Sequence, residues 1–375
     1  MQKIRSLVLN RALAARLAFI TVWFSLFAYA GRPLLVAAHV EGVAPAIAWV
    51  ALFGCSLLPI LPAIARRSDG LRRRSWMHWT GYVALGVFSL LLVLVALSDV
   101  VRLLFTVSVR TMSFSVLLAA GGLSLVGFVQ ARFPRIKRVS IAIDNLPAGL
   151  DGYRIVQLSD VHVGPTIQRR FVQTLVDRTN ALHADAIAVT GDLIDGYVDE
   201  LRGQVQPFAG LCARDGVFYV TGNHEYYWRA SEWIPEIERL GFTFLKNEAR
   251  LARPGLVIAG VTDPAGRYTH RQDLGKALSD LPDGTVKVLL SHRPQTAKAA
   301  SRFGVDLQLS GHTHGGQFFP FNLLIRLFQP IVAGLHRVDG TWLYVSRGTG
   351  YWGPPSRLGV HGEITVITLT PSRPR

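Results

Sequence analysis

Between positions 17 and 130 the chain carries four apolar stretches, Leu17 to Ala38, Val43 to Ala65, Tyr82 to Val101 and Met112 to Gln130. Each is close to the roughly 20 residues that cross the hydrocarbon core of a bilayer as a helix. No other feature restricts the fold as much, because backbone inside lipid must satisfy its own N–H and C=O groups, and a helix does so within one segment. An all-α transmembrane region of about four helices is therefore expected over residues 1–138. The first stretch has a second reading. Basic "KIRSLVLNRALAAR", a short apolar core and "AYA" ending at Ala30 also resemble a cleaved signal peptide. The pattern resumes at Leu34 after "GRP", which favours a retained span.

Charge follows the same division. Of the formal net charge of +15, +13 falls in residues 1–138, which hold 16 Lys and Arg against Glu41, Asp69 and Asp99, and +2 falls in the rest. The basic residues gather at the N-terminus (Lys3, Arg5, Arg11, Arg16), in the Arg66 to Arg74 loop, and after the fourth stretch (Arg132, Arg135, Lys137, Arg138). The alternate loops hold only Arg32 in one and Arg102 and Arg110 in the other. The positive-inside rule then predicts a multi-pass protein of the cell inner (plasma) membrane with everything after Gln130 in the cytoplasm. The near-neutral remainder argues against a phosphate-tracking, nucleic-acid-binding surface. With only Cys55 and Cys212, neither a disulfide framework nor a thiolate metal cage is implied.

From Val139 the pattern changes to short apolar runs bounded by Gly, Asp, Asn and Pro. Residues 139–375 are expected to form a second, α/β domain. Candidate strands occupy 154–160, 185–192, 216–224, 256–263, 287–292, 305–312, 341–346 and 363–369. A helix is expected after the first of them, with Phe171, Leu175, Val176 and Leu182 on one face.

Chemistry-bearing residues recur where these strands end: Asp160 and His162, Asp192, Asn223 and His224, His292, then His312 and His314. The C-terminal edge of a parallel sheet is where ligand sites form. Each residue alone reads as a turn former or a loop histidine. Together they form a donor set of carboxylate, amide and imidazole, which suits Mn, Fe or Zn better than an all-oxygen Mg or Ca cage. Their number exceeds one tetrahedral ion and fits two ions sharing a carboxylate, an arrangement used for phosphoester hydrolysis.

In order, "DVH", "GD", "GNHE", "SH" and "GHTH" resemble the five motifs of calcineurin-like metallophosphoesterases, over about Val139 to Leu369. Apolar spans followed by "LSDVHVG", "SGHTHGGQ" and "SRGTGYWG" are most similar to the bacterial membrane-attached branch, which includes enzymes cleaving the pyrophosphate of UDP-2,3-diacylglucosamine in lipid A biosynthesis. The resemblance implies a four-layer αββα sandwich and two divalent metal ions. It implies that Asp160, His162 and His314 hold one ion, that Asn223, His292 and His312 hold the other, and that Asp192 bridges them. His224 would face the scissile phosphate and protonate the leaving group as a metal-bridging hydroxide attacks phosphorus.

The expected activity is a membrane-anchored phosphodiesterase or pyrophosphatase, with a phosphoester substrate that is lipid-linked in the leading reading. A nuclease or cyclic-nucleotide phosphodiesterase would share the site, and a non-catalytic membrane sensor is the alternative of a different class. Transport is disfavoured because the spans hold almost no acidic or paired ionisable residues. "RGTGYWG" has the G-x-G-x-x-G spacing of dinucleotide sites, but "PP" follows where a helix would have to begin. Beside this loop, Arg347 and Arg357 are expected to bind substrate. The segment 318–335, "FFPFNLLIRLFQPIVAGL", is too broken to span a bilayer. Three roles stay open for it: resting on the membrane surface, accepting an acyl chain, or packing on its own domain.

Overall fold

The computed structural model describes residues 2–37, 44–267, 270–279 and 281–372. Ala38 and Val43, expected ends of the first two apolar stretches, and Glu41 lie outside the described residues. The chain forms two compact units, Met1–Val126 and Gly127–Arg375.

Among the described residues, four helical segments are long and apolar enough to cross a membrane: Leu13–Ala37, Ala46–Arg66, Ser75–Leu104 and Val109–Arg132. Their outward residues include Phe19, Val50, Leu103 and Leu118, all more than half exposed, which suits a surface solvated by lipid rather than water. Pro33 sits inside helix Gln2–Ala37 without ending it. A proline removes one backbone donor, and apolar surroundings favour continuing the helix over freeing more polar groups. Ala30, which ends "AYA", is buried with Phe27 and Phe88. Asp99 is paired, accepting from Tyr29 Oη at 2.7 Å and from Arg32 Nη2 at 2.6 Å.

The second unit has twelve strands among its described residues. In chain order they are β1 (Arg135–Ile143), β2 (Arg154–Leu158), β3 (Ala186–Thr190), β4 (Val217–Val220), β5 (Thr243–Phe244) and β6 (Glu248–Arg253), followed by β7 (Leu256–Gly260), β8 (Val286–Leu290), β9 (Leu307–Ser310), β10 (Gly334–Val338), β11 (Thr341–Val345) and β12 (Glu363–Pro371). They form two six-stranded sheets, ordered β1-β12-β2-β3-β4-β5 and β10-β11-β9-β8-β7-β6. The central strands β2, β3 and β4, and likewise β7, β8 and β9, run parallel. Their C-terminal ends therefore share one edge.

Alternation of side chains explains the layering. Ile155, Ala188, Ile258 and Leu290 point into the core between the sheets. Val156, Leu158, Ile187 and Val189 point the other way, under helices Arg169–Asn180, Val198–Val205 and Ala230–Arg239. Ala259 and Leu289 pack outward on the second sheet with Ala277, Leu278 and Ala300. Both faces of the central strands are covered, so their sequences are nearly all apolar. The result is the expected αββα sandwich.

All eight expected strands are present, and four others were not foreseen. Most consequential is β1, because the basic run Arg135, Lys137 and Arg138, expected at the end of the all-α region, is an edge strand, paired in parallel with β12 from Arg135↔Glu363 onward. Charged, half-exposed residues suit an edge that must not pair with other chains, and they hide the strand from a hydrophobicity-based reading. The other three, β5, β6 and β10, are short or weakly apolar outer strands.

Candidate metal centre

The strand ends converge. Three groups of Asp and His side chains have ligand atoms within 4.8 Å of one another: Asp160, His162 and His314; His162, Asp192 and His224; and Asp192, His292 and His312. Asp192 Oδ2 lies 3.2 Å from His292 Nε2 on one side and 3.8 Å from His162 Nε2 on the other. His162 Nε2 faces His314 Nε2 at 3.0 Å, His314 Nε2 lies 3.4 Å from Asp160 Oδ1, and His312 Nδ1 lies 3.2 Å from His292 Nε2. One carboxylate therefore belongs to both halves of the cluster.

Local backbone geometry makes this crowding possible. Asp160, His162, Asp192, His312 and His314 all have φ between +52° and +73°. That left-handed region costs a non-glycine residue about 1 kcal/mol or more, and it is characteristic of functional turns held by their surroundings. At Gly311 a Cβ would collide with Ser159 Oγ and Asp160 Oδ2, and at Gly222 with the Asp192 carboxylate. The glycines of "GHTH" and "GNHE" are there because backbone passes against a carboxylate.

Backbone and buried groups fix the orientation of the side chains. His312 N donates to both Asp160 oxygens, at 3.0 and 3.2 Å, and His224 N donates to Asp192 Oδ1 at 2.8 Å. His292 Nδ1 lies 2.8 Å from the Thr190 carbonyl, which turns Nε2 toward Asp192. Hydrogen bonds of this kind set the tautomer of a metal-binding imidazole.

The protein's own charges set the protonation pattern. Burial, then repulsion from His224, lowers His162 to about 3; burial, then His292, lowers His312 to about 4; burial, then His162 and Arg357, holds His314 well below its ordinary value. These shifts favour the neutral form of all three imidazoles, the form in which a histidine can bind a metal. Burial would raise Asp192, but His292 and His224 outweigh it and hold the carboxyl well below the usual range. Burial, then Asp192, raises Asp160 to about 6 against the opposing pull of His292. Burial would also lower His224, yet Asp192 and Asp195 bring it up to about 9. Asp192 likewise raises His292 against burial, to about 10, so this imidazole would have to release a proton on binding a metal.

The residues present fit a metal. Asn223 Oδ1 and His162 Nδ1 are buried without a hydrogen-bond partner, and the amide oxygen is a suitable oxygen ligand on the turn that also carries His224.

Two residues assigned no role in the sequence organise the site. Glu225, fully buried, accepts from Gly222 N (2.7 Å), Asp192 N (3.1 Å) and Leu193 N (2.7 Å), tying the "GD" turn to the "GNHE" turn. Asp195 Oδ1 lies 3.1 Å from His224 Nδ1 and accepts from Trp228 Nε1 at 2.8 Å. Their only signals were the last letter of "GNHE" and a second acid three residues after Asp192.

Arg357 requires a correction. Expected to bind substrate, it is instead fully buried beneath the "RGTGYWG" loop. Its Nε donates to Gly350 O at 2.7 Å, Nη1 to Arg347 O at 2.7 Å, and Nη2 also to Gly350 O. Burial lowers its pKa to about 10. A guanidinium whose donors are engaged by main-chain carbonyls has little left for a ligand, so it braces the loop. Arg347 keeps an exposed side chain, 3.5 Å from Glu363. Exposed Tyr227 and Trp352 flank His224, with ring centroids 5.1 and 5.7 Å from it.

Asp and His groups gathered at the shared edge of two stacked α/β sheets are suited to hold metal ions, and similarity to known proteins makes the chain a metal-dependent phosphoesterase. A family model described as calcineurin-like phosphoesterase matches residues 153–316. The chain is 34% identical over 322 residues to a transmembrane protein with metallophosphoesterase domain of Danio rerio, covering 78% of this chain and 74% of that protein. It is 39% identical to the protein of the same name in Bos taurus, covering 66% and 60%, and 36% identical to an uncharacterized metallophosphoesterase of Helicobacter pylori, covering 66% and 69%. The chain belongs to the calcineurin-like metallophosphoesterase family.

Proposed function

We propose that this chain is a membrane-anchored phosphohydrolase that loads two divalent ions and cleaves a phosphodiester or pyrophosphate, on a lipid-linked substrate, at the cytoplasmic face. In this reading Asp160, His162 and His314 hold one ion, Asn223, His292 and His312 hold the other, and Asp192 bridges. The position of Asp192 Oδ2 between His162 and His292 carries it. Mn, Fe or Zn suits the mixed oxygen and imidazole donors. The cytoplasmic assignment is supported by the placement of Lys and Arg around the four apolar helices.

When bound, two such ions supply a water nucleophile of lowered pKa and neutralise charge on the phosphoryl oxygens. The chain's own contribution is proton transfer and orientation. His224, whose Nδ1 lies 3.1 Å from Asp195 Oδ1, would donate from its other ring nitrogen to the departing oxygen, with Asp195 holding the imidazole in place. Tyr227 and Trp352 shape the approach to His224. A lipid-linked substrate is supported by the exposed apolar residues of the 318–335 segment directly after His314.

The full chain, purified in a neutral detergent and assayed with Mn²⁺ on bis-p-nitrophenyl phosphate, should hydrolyse it, lose activity on chelation, and be inactive as Asp192→Asn. Activity that survives chelation, or an active Asp192→Asn enzyme with full metal content, would overturn the assignment. Turnover of soluble diesters alone, with none of lipid pyrophosphates, would remove the lipid-linked part.

A further inference from the structure

Beside the metal-binding cluster, behind Gly315, lies a cavity of about 760 Å³ that the catalytic reading does not use. Arg135, Lys137, Arg326 and Arg347 line it, with His361, against a single carboxylate, Glu363. That carboxylate is already engaged by Tyr344 Oη at 2.7 Å and by Arg347. Arg135, Lys137 and Arg326 are exposed and pair with no carboxylate among the described residues. The crowding is felt locally, since burial and then Arg135, Arg347 and Arg357 lower the pKa of His361.

Two further observations identify what fills such a space. Arg135 follows the end of helix Val109–Arg132 by three residues, so the chain itself keeps it within about 10 Å of a membrane-length helix. On the rim, Leu323, Leu324, Leu327 and Phe328 are 47–77% exposed, and Leu323 also lines the cavity. Apolar side chains next to unpaired cations match the boundary between acyl chains and phosphates.

We infer that this cavity seats the phosphate headgroup of an anionic membrane lipid, with the 321–328 segment resting among the acyl chains. The lipid is a second ligand beside the catalytic cluster, and its binding stands whether or not the proposed hydrolysis does.

The test uses the full chain in neutral detergent micelles, titrated with dioleoylphosphatidylglycerol or dioleoylphosphatidylcholine and read by native mass spectrometry. Wild type should retain phosphatidylglycerol in preference to phosphatidylcholine. Each cation near a membrane surface is worth about fivefold in affinity, so Arg135→Gln/Lys137→Gln/Arg326→Gln should bind phosphatidylglycerol on the order of 100-fold more weakly. Its hydrolysis of bis-p-nitrophenyl phosphate should be unchanged, which also reports an intact fold. Arg326→Glu, on the surface segment, serves if the triple variant does not fold. Equal retention of the two lipids by wild type, or undiminished phosphatidylglycerol binding by the variants, would overturn the inference. Displacement of the lipid by an equal concentration of glycerol 3-phosphate would also overturn it, in favour of a soluble phosphate compound. An Asp192→Asn protein that is inactive yet binds phosphatidylglycerol normally separates this site from catalysis.

Discussion

Glu225 is the residue whose removal should reveal most about how the site is held. Its two oxygens accept three backbone N–H groups from two turns that together carry Asp192, Asn223 and His224. Burial, then Asp192, raises Glu225 to about 7, so its hydrogen bonds range from about 0.5–1.5 kcal/mol each when it is neutral to about 1.5–3 kcal/mol when it is charged, and a buried donor left unpaired costs about 1–3 kcal/mol. Glu225→Gln keeps one acceptor oxygen and turns an NH₂ group toward the remaining donors. One or two of the three bonds are then lost, for about 3 kcal/mol. In a unit of this size that lowers the midpoint of thermal unfolding by roughly 6–12 °C. Because the turns carrying the donor set are no longer tied, metal affinity should fall about 10- to 100-fold, as for other residues that orient metal ligands. Metal content by mass spectrometry, thermal unfolding, and turnover of bis-p-nitrophenyl phosphate at rising Mn²⁺ would measure this. Excess metal should restore much of the rate but not the melting temperature. A Glu225→Gln protein that melts, loads metal and turns over like wild type would refute the reasoning.

Three further outcomes are expected. Asp195→Asn should retain its metal and lose kcat about 100-fold on an alkyl leaving group, with little loss on p-nitrophenolate, which departs without a proton; equal losses on both would mean that Asp195 serves the fold instead. Gly311→Ala should lose metal and activity together, since a methyl group there meets Asp160 and Ser159, and a fully loaded variant would contradict the close approach. Trp352→Ala, at an exposed position beside His224, should raise KM several-fold while leaving melting unchanged, whereas a drop in melting temperature with an unaltered KM would assign it to packing.

What could be read from the sequence depended on whether a residue's role was local. Buried parallel strands such as Ala186–Thr190 declare themselves by continuous apolar runs, and the Asp and His residues at their ends by recurring beside glycine. Arg135–Ile143 did not, because its identity as a strand comes from a partner more than 200 residues away and its exposed face is charged. Arg357 looked like a substrate ligand because sequence places it near a glycine-rich loop, but not above or below that loop. Glu225 and Asp195 stayed silent for a related reason: their importance lies in which backbone and ring atoms they meet after folding, and an acid near a turn has many ordinary uses.

The position of β12 also sets a timetable for synthesis. It lies between β1 and β2 and pairs with β1 along nine residues, yet β1 leaves the ribosome more than 200 residues earlier. At about 5–20 residues per second that interval lasts roughly 10–50 s. Throughout it, every expected metal-binding residue up to His314 can emerge while the sheet beneath Asp160 still lacks the strand that joins β1 to β2. Hydrolytic competence therefore waits for the final strand, after the apolar helices have met the bilayer. The open edges of β1 and β2 during that delay are the places where a nascent chain of this design is most exposed to wrong pairing.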